Sequence, residues 1–211
     1  MDISVIVPLY NEAESLPELH AWIKRVMDAN NYTYEVLFVN DGSTDNTLAN
    51  LRKYKEDNPE LNLSVVANKG NKGVAWTKNR LLKSAKGEWF HVHDSDDWVY
   101  TDLYNRMISE WLTNRTDADV VCMDLEVNGG WRYPLNENTQ RVYCAQISRF
   151  IKRDFVKGIT FPENIKAGDD WYFAEELLTR NPKIVYSGVM AYHYNFPREG
   201  SLSYLQLRGL I

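Results

Sequence analysis

His93-Asp94-Ser95-Asp96-Asp97-Trp98 places three carboxylates within four residues, with no basic residue beside them in sequence. Unpaired, such charges repel; a divalent cation removes the repulsion, and carboxylate oxygens suit hard Mg²⁺ or Mn²⁺. Sites of this kind take one or two protein carboxylates and draw further ligands from substrate phosphates, so a diphosphate leaving group is the natural partner. The same tetrapeptide also reads as a solvated acidic turn capping the helix after it, and the residues alone leave both readings open. Gly168-Asp169-Asp170-Trp171 is a second acidic segment. A carboxylate there can serve as general base on an acceptor hydroxyl, or simply favour the first turn of a helix through the helix dipole. Asp41, in Asn40-Asp41-Gly42-Ser43, is placed either to accept hydrogen bonds from a base or ribose or to close an Asx-turn. Lys69 to Gly73 forms a Gly- and Lys-rich loop ahead of a helix, able to offer backbone N–H groups and positive charge to phosphates. Neither GxxxxGK[ST] nor GxGxxG is present, which weighs against an ordinary NTPase or a dinucleotide dehydrogenase. His193, within Tyr192-His193-Tyr194, reads first as a structural histidine and second as a ligand.

These residues need elements to hold them. Ile3–Val7, Glu35–Val39, Asn62–Val66 and Glu88–His93 read as strands, separated by helical patterns over 14–28, from Asp45 as N-cap, and over 74–85. The first helix carries Leu16, Leu19, Ile23 and Val26 at helical spacing. Such alternation implies a parallel sheet covered by helices through right-handed crossovers. Tyr10-Asn11-Glu12, Asn40-Asp41 and Asp94–Asp97 each follow a strand, so they converge at one sheet edge, where ligands bind in open α/β folds. Beyond Asp97 the pattern predicts helices over 101–112, 143–155 and 169–178. Strands are predicted at 119–123, 183–186 and 190–194, with a hairpin turn at Gly129-Gly130. No repeat or linker interrupts the chain, and one continuous globule is expected.

Composition bounds the partners. The 211 residues carry a formal net charge of -5, which disfavours indiscriminate nucleic-acid binding. Seven Trp and 13 Tyr are present, many after residue 85, which suits a cleft that stacks on flat ligand faces. No apolar run approaches the ~20 residues of a membrane span, and no signal-peptide pattern opens the chain. Cys122 and Cys144 match no metal or redox spacing, so buried thiols in a reducing cytosol, and a cytoplasmic location, are expected. Sequons at Asn31, Asn62 and Asn114 are read as chance in the absence of a secretion signal.

Taken in order, Ile3-Ser4-Val5-Ile6-Val7-Pro8-Leu9-Tyr10-Asn11-Glu12, Val39-Asn40-Asp41-Gly42-Ser43-Thr44-Asp45, Asn71-Lys72-Gly73, Gly87-Glu88-Trp89, Asp94-Ser95-Asp96-Asp97, Gly168-Asp169-Asp170-Trp171 and Tyr192 to Ser203 resemble the family-2 glycosyltransferases with the GT-A fold. The resemblance implies an α/β architecture with a Rossmann-like, mostly parallel central sheet, flanking helices and a small acceptor-side region. It implies a single catalytic domain over 1–211, with a nucleotide-sugar half (1–98) and an acceptor half (99–211). Pro8, Tyr10 and Glu12 are then expected to line the nucleotide pocket, with Asp41 on the base. Lys72, Gly73, Lys78 and Ser95 complete the expected donor side. Asp94 and Asp96 match the family's DxD, contacting ribose and the Mn²⁺- or Mg²⁺-bound diphosphate, and His193 falls near a C-terminal metal- or phosphate-binding histidine. Asp170 matches the catalytic base of inverting transfer, with Asp169 and Trp171 on the acceptor side. Two departures stand out: Asp169 replaces the usual Glu, and Lys78-Asn79 replaces the common Arg-Asn, a point charge for a fork.

The activity so implied is metal-dependent transfer of a sugar from a nucleoside-diphosphate sugar, UDP being the family's commonest nucleotide, to an acceptor hydroxyl with inversion. The absence of the membrane helices of processive synthases favours a soluble enzyme adding single sugars. The acceptor, whether glycan, lipid carrier, protein or modified nucleic-acid base, stays open. The rivals are nucleotidyltransfer on a related scaffold and a non-catalytic nucleotide-sugar- or glycan-binding module.

Overall fold

The computed structural model describes residues 2–29, 33–114, 117–128, 130–138, 146–165, 167–196, 198–199, 205 and 208–209. The N-terminal elements are β1 (Ile3–Leu9), α1 (Leu16–Asp28), β2 (Tyr34–Asn40), α2 (Thr47–Asp57), β3 (Leu63–Ala67), α3 (Val74–Ser84) and β4 (Trp89–Val92). The remainder contributes β5 (Trp98–Val99), α4 (Thr101–Arg106), β6 (Val120–Val127), β7 (Trp131–Tyr133), β8 (Arg149–Lys152), α5 (Asp169–Thr179) and β9 (Ile184–Tyr194). One sheet runs β3-β2-β1-β4-β8-β6-β9-β5, with β7 paired to β6.

The first four strands are parallel, with Val5 opposite both Val36 and His91. Strands covered on both faces need continuous apolar runs, and Val5, Ile6 and Val7 are fully buried. α1 turns Leu16, Leu19, Ile23 and Val26 into the core, the set its spacing predicted. Asn46 rather than Asp45 holds the N-cap position of α2, and the Asp45 side chain, one residue earlier, accepts from the Thr47 N–H at 2.9 Å.

The second half departs from the expected pattern. The helix predicted over 143–155 is not there: residues 146–148 form a 3₁₀ turn and Arg149–Lys152 form β8. Ile147, Phe150, Ile151 and Phe155 mimic helical spacing, but β4 offers an open edge, and β8 fills it antiparallel, Phe90 facing Ile151. Phe150 and Ile151 are fully buried as a result. Tyr143 and Cys144 lie outside the described residues. The helix predicted over 101–112 is continuous, with its second half, Met107–Leu112, widened to π geometry.

The two stretches at 183–186 and 190–194 join as one strand that bulges between Tyr186 and Met190, where Gly188 has φ 65°. β6 and β7 form the expected hairpin, Val127 opposite Trp131, although Gly129 itself lies outside the described residues. The Asn31 and Asn114 sequons also fall partly outside them, whereas Asn62 donates its side-chain amide to the Tyr34 carbonyl at 2.9 Å. Among the described residues no helix is long and apolar enough to cross a membrane.

Candidate active site

The loops after β1 and β2 are stitched together. Asn11, at φ 55°, accepts from the Thr44 N–H at 2.8 Å and donates its own N–H to Ser43 Oγ at 2.9 Å. The Glu12 N–H donates to Thr47 Oγ1 at 2.8 Å. Pro8 sits half-buried opposite Val39, and Tyr10 projects at the rim, 44% exposed.

Asp41 is buried and accepts three bonds, from Asn68 Nδ2 at 2.7 Å and from the N–H groups of Lys72 and Gly73 at 2.8 Å each. Its acceptor capacity is thus largely taken up inside the protein. It clamps the 69–73 loop through these bonds. The clamp requires Gly42: with φ 71°, a Cβ there would fall 2.2 Å from the Gly70 carbonyl carbon. The Lys72 side chain and Gly73 remain exposed at the start of α3.

At the end of β4, Asp97 is buried and held by the Tyr192 hydroxyl and the Asn195 N–H, both at 2.8 Å. The Asp94 N–H donates to the same hydroxyl at 3.2 Å, and Asn195 Nδ2 donates to the Asp96 carbonyl at 3.2 Å. Asp97 therefore shapes the turn, leaving Asp94 and Asp96 with Ser95 buried between them. Burial pushes the Asp94 carboxyl up to about 7 against the pull of Lys78, with Asp96, Asp170 and Asp169 adding to the rise. Burial also raises Asp96, opposed by Arg198 and reinforced by Glu12. Behind Asp94, His93 is fully buried and stacked on Trp22 at 4.3 Å; burial holds its pKa far below the ordinary value, so it supplies no counter-charge.

Lys78 is the internal counter-charge. Its Nζ lies 3.0 Å from Asp169 Oδ2, 2.6 Å from Asp170 Oδ1 and 5.1 Å from the Phe161 ring centroid. Burial works against the ammonium, yet Asp170 and Asp169 keep its pKa above the ordinary lysine value. Next to it, Asn79 bonds the Phe161 backbone through both its Nδ2 and its Oδ1, at 2.8 Å each, fixing the segment that leads into α5. Lys78 thereby ties α3 to the start of α5. Burial raises the Asp170 carboxyl while Lys78 opposes the rise. Trp171 and Tyr172 follow it, 47% and 57% exposed.

His193 is not part of this cluster. Alternate residues of a strand face opposite sides, and Tyr192 faces Asp94 and Asp97. His193 stacks on Trp98 at 3.7 Å, with Nε2 3.0 Å from Asn128 Oδ1 and Nδ1 3.3 Å from Glu126 Oε1. Both nitrogens are engaged within the protein. Tyr192, Asn195 and Arg198 are the site residues that the sequence reading did not single out; strand parity was the available signal for Tyr192.

The acids fit a hard divalent cation. Two desolvated carboxylates with raised pKa gather at one turn, and a guanidinium, Arg198, already stands 2.9 Å from Asp96 Oδ2 as a substitute positive charge. Among the described residues no group of three or more His, Cys, Asp or Glu could hold a metal unaided, so Asp94 and Asp96 would hold it together with donor phosphates.

Residues 4–173 match the family model described as Glycosyl transferase family 2, and the chain belongs to that family. It is 28% identical over 214 residues to the poly(ribitol-phosphate) beta-N-acetylglucosaminyltransferase TarS of Staphylococcus aureus (strain MW2), covering 95% of this chain and 36% of that protein. It is 27% identical over 215 residues to the minor teichoic acid biosynthesis protein GgaB of Bacillus subtilis (strain 168), covering 95% of this chain and 23% of that protein. The structure of S. aureus TarS 1-349 in complex with UDP-GlcNAc superposes with a TM-score of 0.78 at 26% identity, over 96% of this chain and 61% of that one. The chain thus spans about a quarter to a third of the length of these curated relatives. Its fold is GT-A, a mixed α/β sheet whose first four strands are parallel.

Proposed function

We propose that this chain transfers a sugar from a nucleoside-diphosphate sugar, with UDP the first nucleotide to test, to an acceptor hydroxyl with inversion at the anomeric carbon. The observation that carries this reading is the pairing of two acidic sites across Lys78. Asp94 and Asp96 lie at the end of β4, Asp170 lies at the start of α5, and Lys78 acts on both. The UDP-GlcNAc-bound neighbour supports the donor class.

Asp170 takes the acceptor proton as the acceptor oxygen attacks the anomeric carbon and the bond to the diphosphate oxygen breaks. Lys78 fixes Asp170 Oδ1 so that the carboxylate keeps one orientation. Asp94 addresses the ribose side and Asp96 the diphosphate side of the donor. A divalent cation bound there supplies charge neutralisation for the departing diphosphate. Trp171 and Tyr172 border Asp170 and offer aromatic faces to the acceptor.

The test is incubation with UDP-sugars and Mn²⁺, scoring UDP release and the product's anomeric configuration. Poly(ribitol phosphate) is the first acceptor to try, because relatives are named for acting on it. Release of pyrophosphate would convert the reading to nucleotidyltransfer, and retention of configuration would remove direct displacement.

A further inference from the structure

Glu12, in the loop after β1, and Asp96, after β4, share one guanidinium. Arg198 Nη2 lies 3.2 Å from Glu12 Oε1, and Arg198 Nε lies 2.9 Å from Asp96 Oδ2. The two acids are well covered, with 11% and 18% of their side chains exposed, whereas that of Arg198 is 40% exposed. Glu12 Oε2 is taken by the Ser15 hydroxyl at 2.6 Å, so Glu12 is anchored independently of Arg198. The guanidinium therefore lies between two well-covered carboxylates, and its Nε, itself buried, meets Asp96 as an ion pair without a hydrogen bond, at a carboxylate oxygen that a hard cation would need.

We infer that Arg198 is a tethered counter-cation that competes with the divalent metal for Asp96, keeping the metal site electrostatically closed until the anionic donor arrives. This rests on the reading of Asp96 as a metal ligand. A metal entering alone must displace the guanidinium and then sit beside a like charge. A diphosphate entering with the metal adds negative charge and relieves that repulsion, so metal and diphosphate strengthen each other's binding by the same factor. Of the pair, Arg198 has the more exposed side chain, 40% against 18%, and Asn195 Nδ2 holds the Asp96 backbone through its carbonyl.

Mn²⁺ binding followed by electron paramagnetic resonance, with and without UDP, tests this independently of turnover. R198Q is expected to bind Mn²⁺ alone about tenfold or more tighter than the unaltered protein, because the competent state no longer has to be opened. With UDP present the difference should shrink. R198K, which keeps a charge on a more flexible stem, should lie between the two and serves if R198Q does not fold by thermal denaturation. D96N separates the two levels of the argument. If D96N loses Mn²⁺ while R198Q and R198K bind it no better than the unaltered protein, the competition is wrong and the metal assignment survives. If D96N binds Mn²⁺ as the unaltered protein does, the metal assignment falls and the competition falls with it.

Discussion

Lys78 Nζ stands 2.6 Å from Asp170 Oδ1, joining residues 92 positions apart. Asp169 Oδ2 lies 3.0 Å from the same nitrogen, and this one buried ammonium opposes the rise in pKa of both Asp170, at the start of α5, and Asp94, after β4.

Removing that ammonium leaves buried carboxylates without their partner, which typically costs about 3–5 kcal/mol. K78M should lower stability on that scale in urea denaturation. It should also move the acidic limb of the kcat/KM profile to higher pH. Lys78 opposes the rise in the Asp170 pKa, so without it Asp170 deprotonates later. A limb that stays in place would disconnect Asp170 from proton abstraction.

D170N keeps an oxygen for Lys78 but has no basic carboxylate. Transfer should fall by about 10²–10⁴-fold, the usual contribution of a general base. UDP binding by calorimetry should be nearly unchanged. Turnover close to that of the unaltered protein would take the role away from Asp170.

Asp94 makes stability depend on pH. Its folded pKa, about 7, exceeds the ordinary aspartate value of 3.8, so between those values the native state holds a proton that the unfolded chain has released. Its contribution is therefore fully present at low pH and is lost as pH rises through about 7. Buried His91 and His93, with lowered pKa, act in the opposite sense as pH falls. The decisive quantity is consequently the difference between the unaltered protein and D94N, with metal chelated. D94N should gain stability relative to the parent as pH rises from about 5 to about 8, and parallel melting curves across that range would refute the assignment.

Gly42 and Gly70 separate strain from collision. Both have positive φ, but only Gly42 lacks room for a Cβ. G70A should cost roughly the 1–2 kcal/mol of the left-handed backbone. G42A should cost clearly more and weaken UDP binding, because it pushes away the loop that Asp41 clamps. Equal urea midpoints for the two variants would count against the clamp.

The N-terminal half was legible because its physics is local. Strands buried on both faces read as apolar runs, and the ends of β1, β2 and β4 followed within a residue or two. The Asp94–Asp97 cluster was visible for the same reason. β8 was not, because four apolar residues at helical spacing carry no record of the open edge on β4 that claims them. The internal bonds of Asp41 were not legible either, because its three donors are set by tertiary placement of the 68–73 segment. Arg198 lies 186 positions from Glu12, and nothing local announces that contact. His193 is different: its strand already implied that it and Tyr192 face apart.

The placement of β8 also says how this protein can fail. A strand from residues 149–152 caps the edge of β4, so a polypeptide arrested or cleaved after Asp97 would display the unpaired backbone of β4 beside an apolar, fully buried core. Such an edge recruits other chains. Truncated products should accumulate as insoluble assemblies rather than as a free N-terminal half, and attempts to graft that half alone onto another scaffold would have to supply a substitute strand.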